Sequence, residues 1–266
     1  MYGLLLRVLP TGMYAGRARM LLERSLLVNR RAWLAVVSGF CEPLFYLFAM
    51  GVGVGPLVGE VAGPTGPVSL VAFVAPALLA ASAMNGAVYD ATFNIFFKIK
   101  YAHLYDAMLA TPLGPVDVAA GEIVWALLRG GLYAAGFLTV MLGMGLLMSP
   151  WAVLALPAAV LVAFSFAAVG MVCTTYMRSW QDFDLIQLVL MPMFLFSSTF
   201  FPLTVYPPPI RVVVECLPLY HAIELMRNLC AGVVEVGMLG HVAYFVVMAG
   251  AGVVVSARRL GVLLLG

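Results

Sequence analysis

The chain has 266 residues, of which 64% are hydrophobic and only 10% are charged, and its formal net charge at pH 7 is +2. Soluble domains carry charge on about a quarter of their residues, so this composition excludes a soluble globular protein and predicts one embedded in a lipid bilayer. The small net charge gives no support to nucleic-acid binding. Continuous apolar runs rich in Ala, Leu, Met and Gly favour an α-helical bundle over an outer-membrane barrel of alternating strands.

The first predicted element is a basic helix at the cytoplasmic surface, over residues 11–31. Its arginines share faces with apolar residues, so the amphipathic pattern is weak. Two interpretations remain open, because such a helix can bind anionic lipid or dock a partner protein. The candidate docking residues are Arg17, Arg19, Glu23 and Arg24. The apolar stretch 1–6 is too short for a cleavable signal peptide, so we expect the tail to be retained.

Six apolar runs are long enough to cross about 30 Å of hydrocarbon. They cover residues 32–57, 68–90, 118–148, 151–176, 183–204 and 237–257. The sequence therefore predicts a single all-α integral membrane domain with six transmembrane helices.

Glu42 stands out within span one, because it follows Trp33 by nine residues, or about 13 Å along a helix. This position is near the middle of the membrane, where a charge is costly. Pro43 weakens the local helix hydrogen bonds. Two roles remain open: Glu42 is satisfied inside the bundle, for example by Arg129, or it faces a polar substrate route.

A polar segment between spans two and three predicts a short amphipathic helix at the cytoplasmic surface, over residues 98–110. Its apolar residues follow the i, i+3, i+4, i+7, i+8 rule: Tyr101, Leu104, Tyr105, Met108 and Leu109. The opposite face carries Lys100, His103 and Asp106. Because the apolar row is too large to leave in water, we expect it to pack against the membrane bundle or against a groove on a partner.

The outer stretch 207–236 is broken by prolines and predicts short helical pieces rather than a further span. The spacings Arg211 to Glu215 and Glu224 to Arg227 predict local ion pairs. Two cysteines in this stretch, Cys216 and Cys230, are either free or joined in a disulfide.

Positive charge gives the orientation. Six arginines precede span one, Arg258 and Arg259 follow span six, and Lys98 and Lys100 follow span two. The positive-inside rule therefore places both termini in the cytoplasm.

Catalytic motifs are not evident. Lys98 and Lys100 follow Phe or Ile, so neither belongs to a phosphate-binding G-x-x-x-x-G-K-[ST] loop. Asp182 and Asp184 resemble a carboxylate pair, but acids at the start of a helix commonly cap it. The cysteines show no metal-ligand spacing. We therefore predict a chain with no catalytic residues, no metal and no cofactor of its own, and keep an intramembrane enzyme as an alternative.

Three stretches resemble the permease subunits of type-2 ATP-binding-cassette (ABC) exporters: EPLFYLFAMGVGVG (42–55), YDAMLATPLGPVDVAAGE (105–122) and FPLTVYPPPIRVVVECLPLYHAIELMR (201–227). The Glu-Pro pair and spaced glycines of the first are closer to the nodulation-factor, or lipooligosaccharide, export subfamily than to the daunorubicin-resistance drug exporters.

The resemblance implies a homodimer in a bacterial inner membrane, docked on two copies of a soluble ATPase that binds ATP and Mg. It implies that residues 98–110 form the coupling helix, with contacts from Lys98, Lys100, Tyr101, His103, Leu104, Tyr105, Asp106 and Met108. It also implies an outer re-entrant segment at 207–236. The implied translocation path between spans one, two and five gives Glu42, Phe45, Tyr46, Phe194, Phe196 and Phe200 as candidate lining residues.

The expected cargo is an amphipathic lipooligosaccharide or glycolipid, exported with ATP hydrolysed by the separate subunit. Efflux of hydrophobic drugs or antibiotics is the alternative. No residue in the sequence separates the two.

Overall fold

The computed structural model describes residues 33–102, 104, 108 and 115–265, and almost all of the secondary structure in these ranges is helical. Helix α1 (Trp33–Phe48) continues through a π-helical turn (Ala49–Val54) into the short helix α2 (Gly55–Val58). Strands β1 (Glu60–Gly63) and β2 (Gly66–Ser69) form an antiparallel hairpin. Helix α3 (Leu70–Tyr89) continues through a second π-helical turn (Asp90–Asn94) into α4 (Ile95–Lys100).

The second half of the chain contains longer helices joined by short turns. They are α5 (Pro115–Gly143), α6 (Ala155–Tyr176), α7 (Asp182–Phe196), α8 (Pro208–Glu215), α9 (Pro218–Ala231) and α10 (Gly237–Leu265). Single 3-10 turns precede α6 (Pro150–Leu154) and follow α7 (Leu203–Val205).

Helix α3 is the centre of the bundle, with 15 of its 20 residues buried. Many of these are alanines, and small side chains let neighbouring helices approach closely within a membrane. Helices α5, α6 and α9 pack around it. Gly252 of α10 serves the same purpose, because a Cβ there would lie 2.8 Å from Ala168 Cβ of α6. The Ser165 hydroxyl of α6 also donates to the Phe245 carbonyl of α10 over 2.8 Å.

Five helical segments in the described residues are long and apolar enough to cross a membrane. They cover Cys41–Val58, Leu70–Lys100, Gly121–Gly143, Pro150–Tyr176 and Gly237–Ser256. Helix α7, the fifth predicted span, has 15 residues and so is only about 22 Å long. The all-α membrane fold is confirmed, and the count of six spans stays a prediction.

Helix α7 ends at Phe196, eight residues before the predicted end of span five. Ser198 adopts a left-handed backbone with φ of 63°, which no helix can continue. Ser197, Ser198 and Thr199 are buried, and the Thr199 hydroxyl donates to the Phe194 carbonyl over 2.6 Å. A buried polar turn therefore replaces the last turns of the predicted span.

Two further features differ from the sequence prediction, whereas the short helices of the outer stretch agree with it. The helix of span two continues through the π-helical turn to Lys100, so the first residues of the predicted coupling helix lie on this continuous helix. The β1–β2 hairpin was not predicted. The outer stretch contains the two short helices α8 and α9, and Cys216 and Cys230 form no disulfide.

Candidate functional site

A cleft of about 810 Å³ lies between helices α1, α3 and α7, the helices of spans one, two and five. Each helix contributes one polar side chain: Glu42 from α1, Asn85 from α3 and Gln187 from α7. Most of the remaining wall is apolar and includes Met50, Val54, Val58, Leu70, Leu190, Met191 and Leu195. The cleft is therefore amphipathic and has the volume of a typical small-molecule site.

Three of the polar residues, Glu42, Asn85 and Gln187, lie toward one end of this cleft. Gln187 is in the first turns of α7 and Asn85 is in the last turns of α3, so the two helices bring them to the same end of the bundle. Glu60 and Val61 of β1, with Pro202 and Val205 after α7, line the opposite end. The apolar wall separates the two ends.

Aromatic rings form one side of the cleft. The centroids of Tyr46 and Phe194 are 5.9 Å apart, and those of Phe194 and Phe200 are 5.4 Å apart in an edge-on arrangement. Such pairs are typical of stable aromatic packing. Phe194 thus links α1 to the buried turn that ends α7.

The structure brings four of the six predicted path residues to this cleft: Glu42, Tyr46, Phe194 and Phe200. Phe45 and Phe196 are not among its lining residues, and their side chains are 71% and 51% exposed. Helix geometry explains why Tyr46 lines the cleft and Phe45 does not, because adjacent residues on a helix point about 100° apart. Phe45 thus points away from the face on which Tyr46 lies.

Arg227 of α9 closes the outer side of the bundle. It is 4% exposed, pairs with Glu224 over 2.7 Å and donates to the Ser198 carbonyl over 2.8 Å. Its guanidinium also lies 3.8 Å from the centre of the Phe73 ring of α3, within the range of a cation–π contact. The predicted Glu224–Arg227 pair is confirmed. Arg227 also joins α9 to α3 and to the turn at Ser198, so its contacts extend beyond its own helix.

The second predicted outer pair does not form among the described residues. Arg211 instead donates to the carbonyls of Tyr206 and Thr204, over 2.6 and 2.7 Å. The guanidinium therefore satisfies backbone carbonyls of the 3-10 turn and of the residue that follows it, before α8 begins.

Two ion pairs join the helices of spans two and three. Arg129 pairs with Asp90 over 2.6 Å and also donates to the Tyr133 hydroxyl over 2.9 Å. Lys98 pairs with Glu122 over 2.6 Å. Arg129 therefore does not serve as the partner of Glu42, which was one of the two roles open from the sequence. Asp90 was overlooked because it stands where the predicted span ended.

The coupling segment is described in part. Lys98 and Lys100 lie on α4, Lys100 and Tyr101 are exposed, and the Tyr101 ring packs against Phe97 with centroids 4.9 Å apart. Met108 and Leu104 pack with Ile95, Ile123 and Met171 of the membrane bundle. His103, Tyr105 and Asp106, together with Arg17, Arg19, Glu23 and Arg24, lie outside the described residues.

Asp182 binds backbone near the start of α7, although not as a helix N-cap. Its carboxylate accepts hydrogen bonds from the backbone N–H groups of Arg178 and Ser179, over 2.7 and 3.0 Å. The carboxylate thus stabilises the turn that precedes the helix. The structure gives this acid the structural role that the sequence favoured over a catalytic one.

Two residues of the cleft, Asn85 and Gln187, were not predicted from the sequence. Each is a single amide within an apolar run, and a lone amide has no periodic pattern that marks it. The signal that could have identified them is energetic, because an uncharged polar side chain at membrane depth is unfavourable unless it has a hydrogen-bond partner.

Comparison with known proteins gives the family. Residues 17–230 match the ABC-2 type transporter family. The chain is 34% identical over 222 residues to Nodulation protein J of Rhizobium leguminosarum bv. trifolii, and the aligned region covers 83% of each chain. It is 32% identical over 222 residues to Nodulation protein J of Rhizobium meliloti, which covers 81% of this chain and 82% of that one.

A third relative, Nodulation protein J of Bradyrhizobium diazoefficiens, is 29% identical over 222 residues, or 83% of this chain and 82% of that one. No solved structure matches the chain. The resemblance to the nodulation-factor export subfamily is confirmed by these relatives. With its helical membrane bundle and a match that covers most of its length, the chain belongs to the ABC-2 type transporter family as a membrane permease.

Proposed function

We propose that this permease exports an amphipathic lipooligosaccharide or glycolipid from the cytoplasm across a bacterial inner membrane. The observation that carries the proposal is the amphipathic cleft between α1, α3 and α7, with three polar side chains at one end and an apolar, partly aromatic wall beside them. A molecule with a saccharide head and an acyl chain has the same division of polarity. The family resemblance and the name of the relatives, Nodulation protein J, point to the same cargo class.

Energy comes from a separate subunit in this proposal. Two copies of a soluble ABC ATPase bind ATP and Mg and dock on a homodimer of this chain, whose termini are cytoplasmic. The coupling residues are those of segment 98–110, together with the N-terminal residues Arg17, Arg19, Glu23 and Arg24. The translocation path includes Glu42, Tyr46, Phe194 and Phe200, with Phe45 and Phe196 on the exposed faces of the same helices.

The test is transport by the reconstituted complex. The chain, co-purified with its ATPase, is placed in liposomes with the ATPase outside, and ATP-dependent entry of a fluorescent N-acylated oligosaccharide is measured. We expect uptake with ATP and none with a non-hydrolysable analogue. Uptake of a cationic aromatic drug, with no uptake of the glycolipid, would instead favour the drug-efflux alternative, for which the aromatic wall of the cleft provides some support.

A further inference from the structure

Three polar residues at one end of the cleft have no protein partner in the described part of the chain. Glu42, Asn85 and Gln187 are all exposed, and none takes part in a hydrogen bond or an ion pair there. Asn85 is conspicuous because 15 of the 20 residues of its helix are buried. At membrane depth an unpaired polar group costs free energy, so these side chains require water or a bound polar molecule.

A second, smaller cavity supports the convergence of these groups. It has a volume of about 40 Å³ and is lined by Glu42, Ser82 and Asn85, together with Tyr46 and Phe194 of the main cleft. This volume is enough for about one water molecule, and the lining offers several polar partners. Glu42 and Asn85 thus adjoin both cavities, which makes this end of the cleft a compact polar pocket.

The charge of the cleft is one-sided. Two carboxyl groups, Glu42 and Glu60, are among its lining residues. Within the described part of the chain, no lysine, arginine or histidine lines it. A phosphate or sulfate group bound at the polar end would be desolvated near the Glu42 carboxyl group without a cation to pair with, and bringing like charges together costs free energy.

We propose that Glu42, Asn85 and Gln187 form a subsite for the uncharged hydroxyl and amide groups of a saccharide head, and that the Glu42 carboxyl group excludes anionic heads. This inference rests on the proposed function and adds to it a charge selectivity. The amides donate to and accept from hydroxyl groups, and the Glu42 carboxyl group accepts from them. The acyl chain lies along Met50, Val54 and Leu190 toward the opposite end of the cleft.

Binding without ATP tests the subsite independently of export. The full-length chain is placed in phosphatidylcholine nanodiscs and labelled with three alkyl disaccharides that carry a photoreactive diazirine in the alkyl chain. One probe is uncharged, the second carries a sulfate on the sugar, and the third carries a primary amine at the same position. Labelling of the chain is measured against probe concentration.

We expect the uncharged probe to label at concentrations at least tenfold below those of the sulfated probe. Asn85→Leu and Gln187→Leu should each weaken labelling by the uncharged probe about three- to tenfold, the effect of one lost hydrogen bond. The matched control is Gln181→Leu, since Gln181 is an exposed amide just before α7 that does not line the cleft. Its labelling should equal that of the unaltered chain.

A variant that is expected to gain binding serves as the control for misfolding. Gln187→Lys places a cation in the pocket and should strengthen labelling by the sulfated probe about tenfold, which a misfolded chain cannot do. Equal labelling by the uncharged and sulfated probes, unchanged labelling in both leucine variants, or no labelling by any probe would overturn the subsite. Strongest labelling by the amine probe, lost in Glu42→Gln, would overturn it in favour of a cation site.

The two proposals fail separately. Selective labelling without ATP-dependent uptake of the glycolipid contradicts the proposed export but leaves the subsite in place. ATP-dependent uptake with unselective labelling contradicts the subsite alone.

Discussion

Arg129 of α5 lies 2.6 Å from Asp90, the residue that follows α3, and this ion pair joins spans two and three inside an apolar bundle. Asp90 is 3% exposed and stands at the first residue of the π-helical turn. The Thr174 hydroxyl of α6 donates to the carbonyl of Ala91 in the same turn over 2.8 Å. π-helical turns inside helices often occur at functional sites. Three helices therefore fix the point at which span two continues toward the coupling segment.

Removal of one partner of this pair should destabilise the chain strongly. Asp90→Ala leaves the partly buried Arg129 charge, which is 16% exposed, without its carboxylate, which costs up to about 3–5 kcal/mol, the range for a fully buried pair. We expect a clear fall in the midpoint of thermal unfolding in detergent. The double variant Asp90→Ala with Arg129→Met removes both charges and should recover much of the loss.

Glu42→Ala is the matched control for Asp90→Ala, because Glu42 is an acid of the same bundle that forms no ion pair within the described residues. Its unfolding midpoint should change much less. A double variant no more stable than Asp90→Ala would show that the ion pair is not the source of the loss.

The contacts of Arg227 depend on the shape of the arginine side chain as well as on its charge. Arg227 reaches Glu224, the Ser198 carbonyl and the Phe73 ring at once, and a lysine cannot make this set of contacts. Arg227→Lys should therefore lower stability by about 1.5–3 kcal/mol, the range for a lost hydrogen bond to a charged group. Arg178→Lys, at an exposed position, should leave the thermal midpoint unchanged. Equal shifts in both variants would contradict the special role of Arg227.

Acidification should weaken the contact between α9 and α10. The Nδ1 atoms of His221 and His241 are 2.8 Å apart, so one ring donates a hydrogen bond to the other. The two Nδ1 atoms cannot both carry a proton in this geometry. Burial lowers the pKa of His221 below its usual value, and the neighbouring His241 lowers it further. The folded state therefore binds a proton less readily than the unfolded state, and His221 should contribute stability at neutral pH that is lost as the pH falls below about 6.5.

The measurement is the thermal midpoint in detergent between pH 7.5 and pH 5. We expect His221→Gln to reduce its dependence on pH, because glutamine does not titrate. A dependence as steep in His221→Gln as in the unaltered chain would rule out this histidine as its cause.

The sequence predicted the parts of this fold that depend on local pattern. Apolar runs gave the helices, and the spacing of Glu224 and Arg227 gave their pair, because both features lie within one or two helical turns. The pairing of Asp90 with Arg129 joins residues 39 positions apart, and no local pattern identifies such a partner. The β1–β2 hairpin was missed although its turn residues, Pro64 and Thr65 between two glycines, are a recognisable turn signal.

The candidate site was likewise predicted only in part from the sequence. Tyr46, Phe194 and Phe200 were predicted from the family resemblance, and the structure brings them to one cleft. Phe45 and Phe196 were chosen as aromatics of the same stretches, without knowledge of which helix face meets the cleft. Asn85 and Gln187 needed the structure, since only the assembled bundle shows that three helices turn polar side chains to one end.

Coupling to the ATPase should depend on the apolar contacts below span two. Leu104 packs with Met108, Ile95, Ile123 and Met171, so this part of the predicted coupling helix is anchored on the membrane bundle. In the proposed complex this segment passes movement of the ATPase to α4 and α5, because both carry residues of this cluster.

Leu104→Asp should uncouple ATP hydrolysis from export. An aspartate among these apolar side chains leaves a charge without a partner, which costs several kcal/mol and detaches the helix from the bundle. Lys100→Ala is the matched control, since Lys100 is exposed and solvated charges contribute only about 0–1 kcal/mol. We expect Leu104→Asp to lose cargo-stimulated ATP hydrolysis and Lys100→Ala to keep most of it, with both variants present in the membrane in normal amount. Full export and full ATPase binding in Leu104→Asp would show that this contact has no part in coupling, and would move the site of force transmission elsewhere on the cytoplasmic surface.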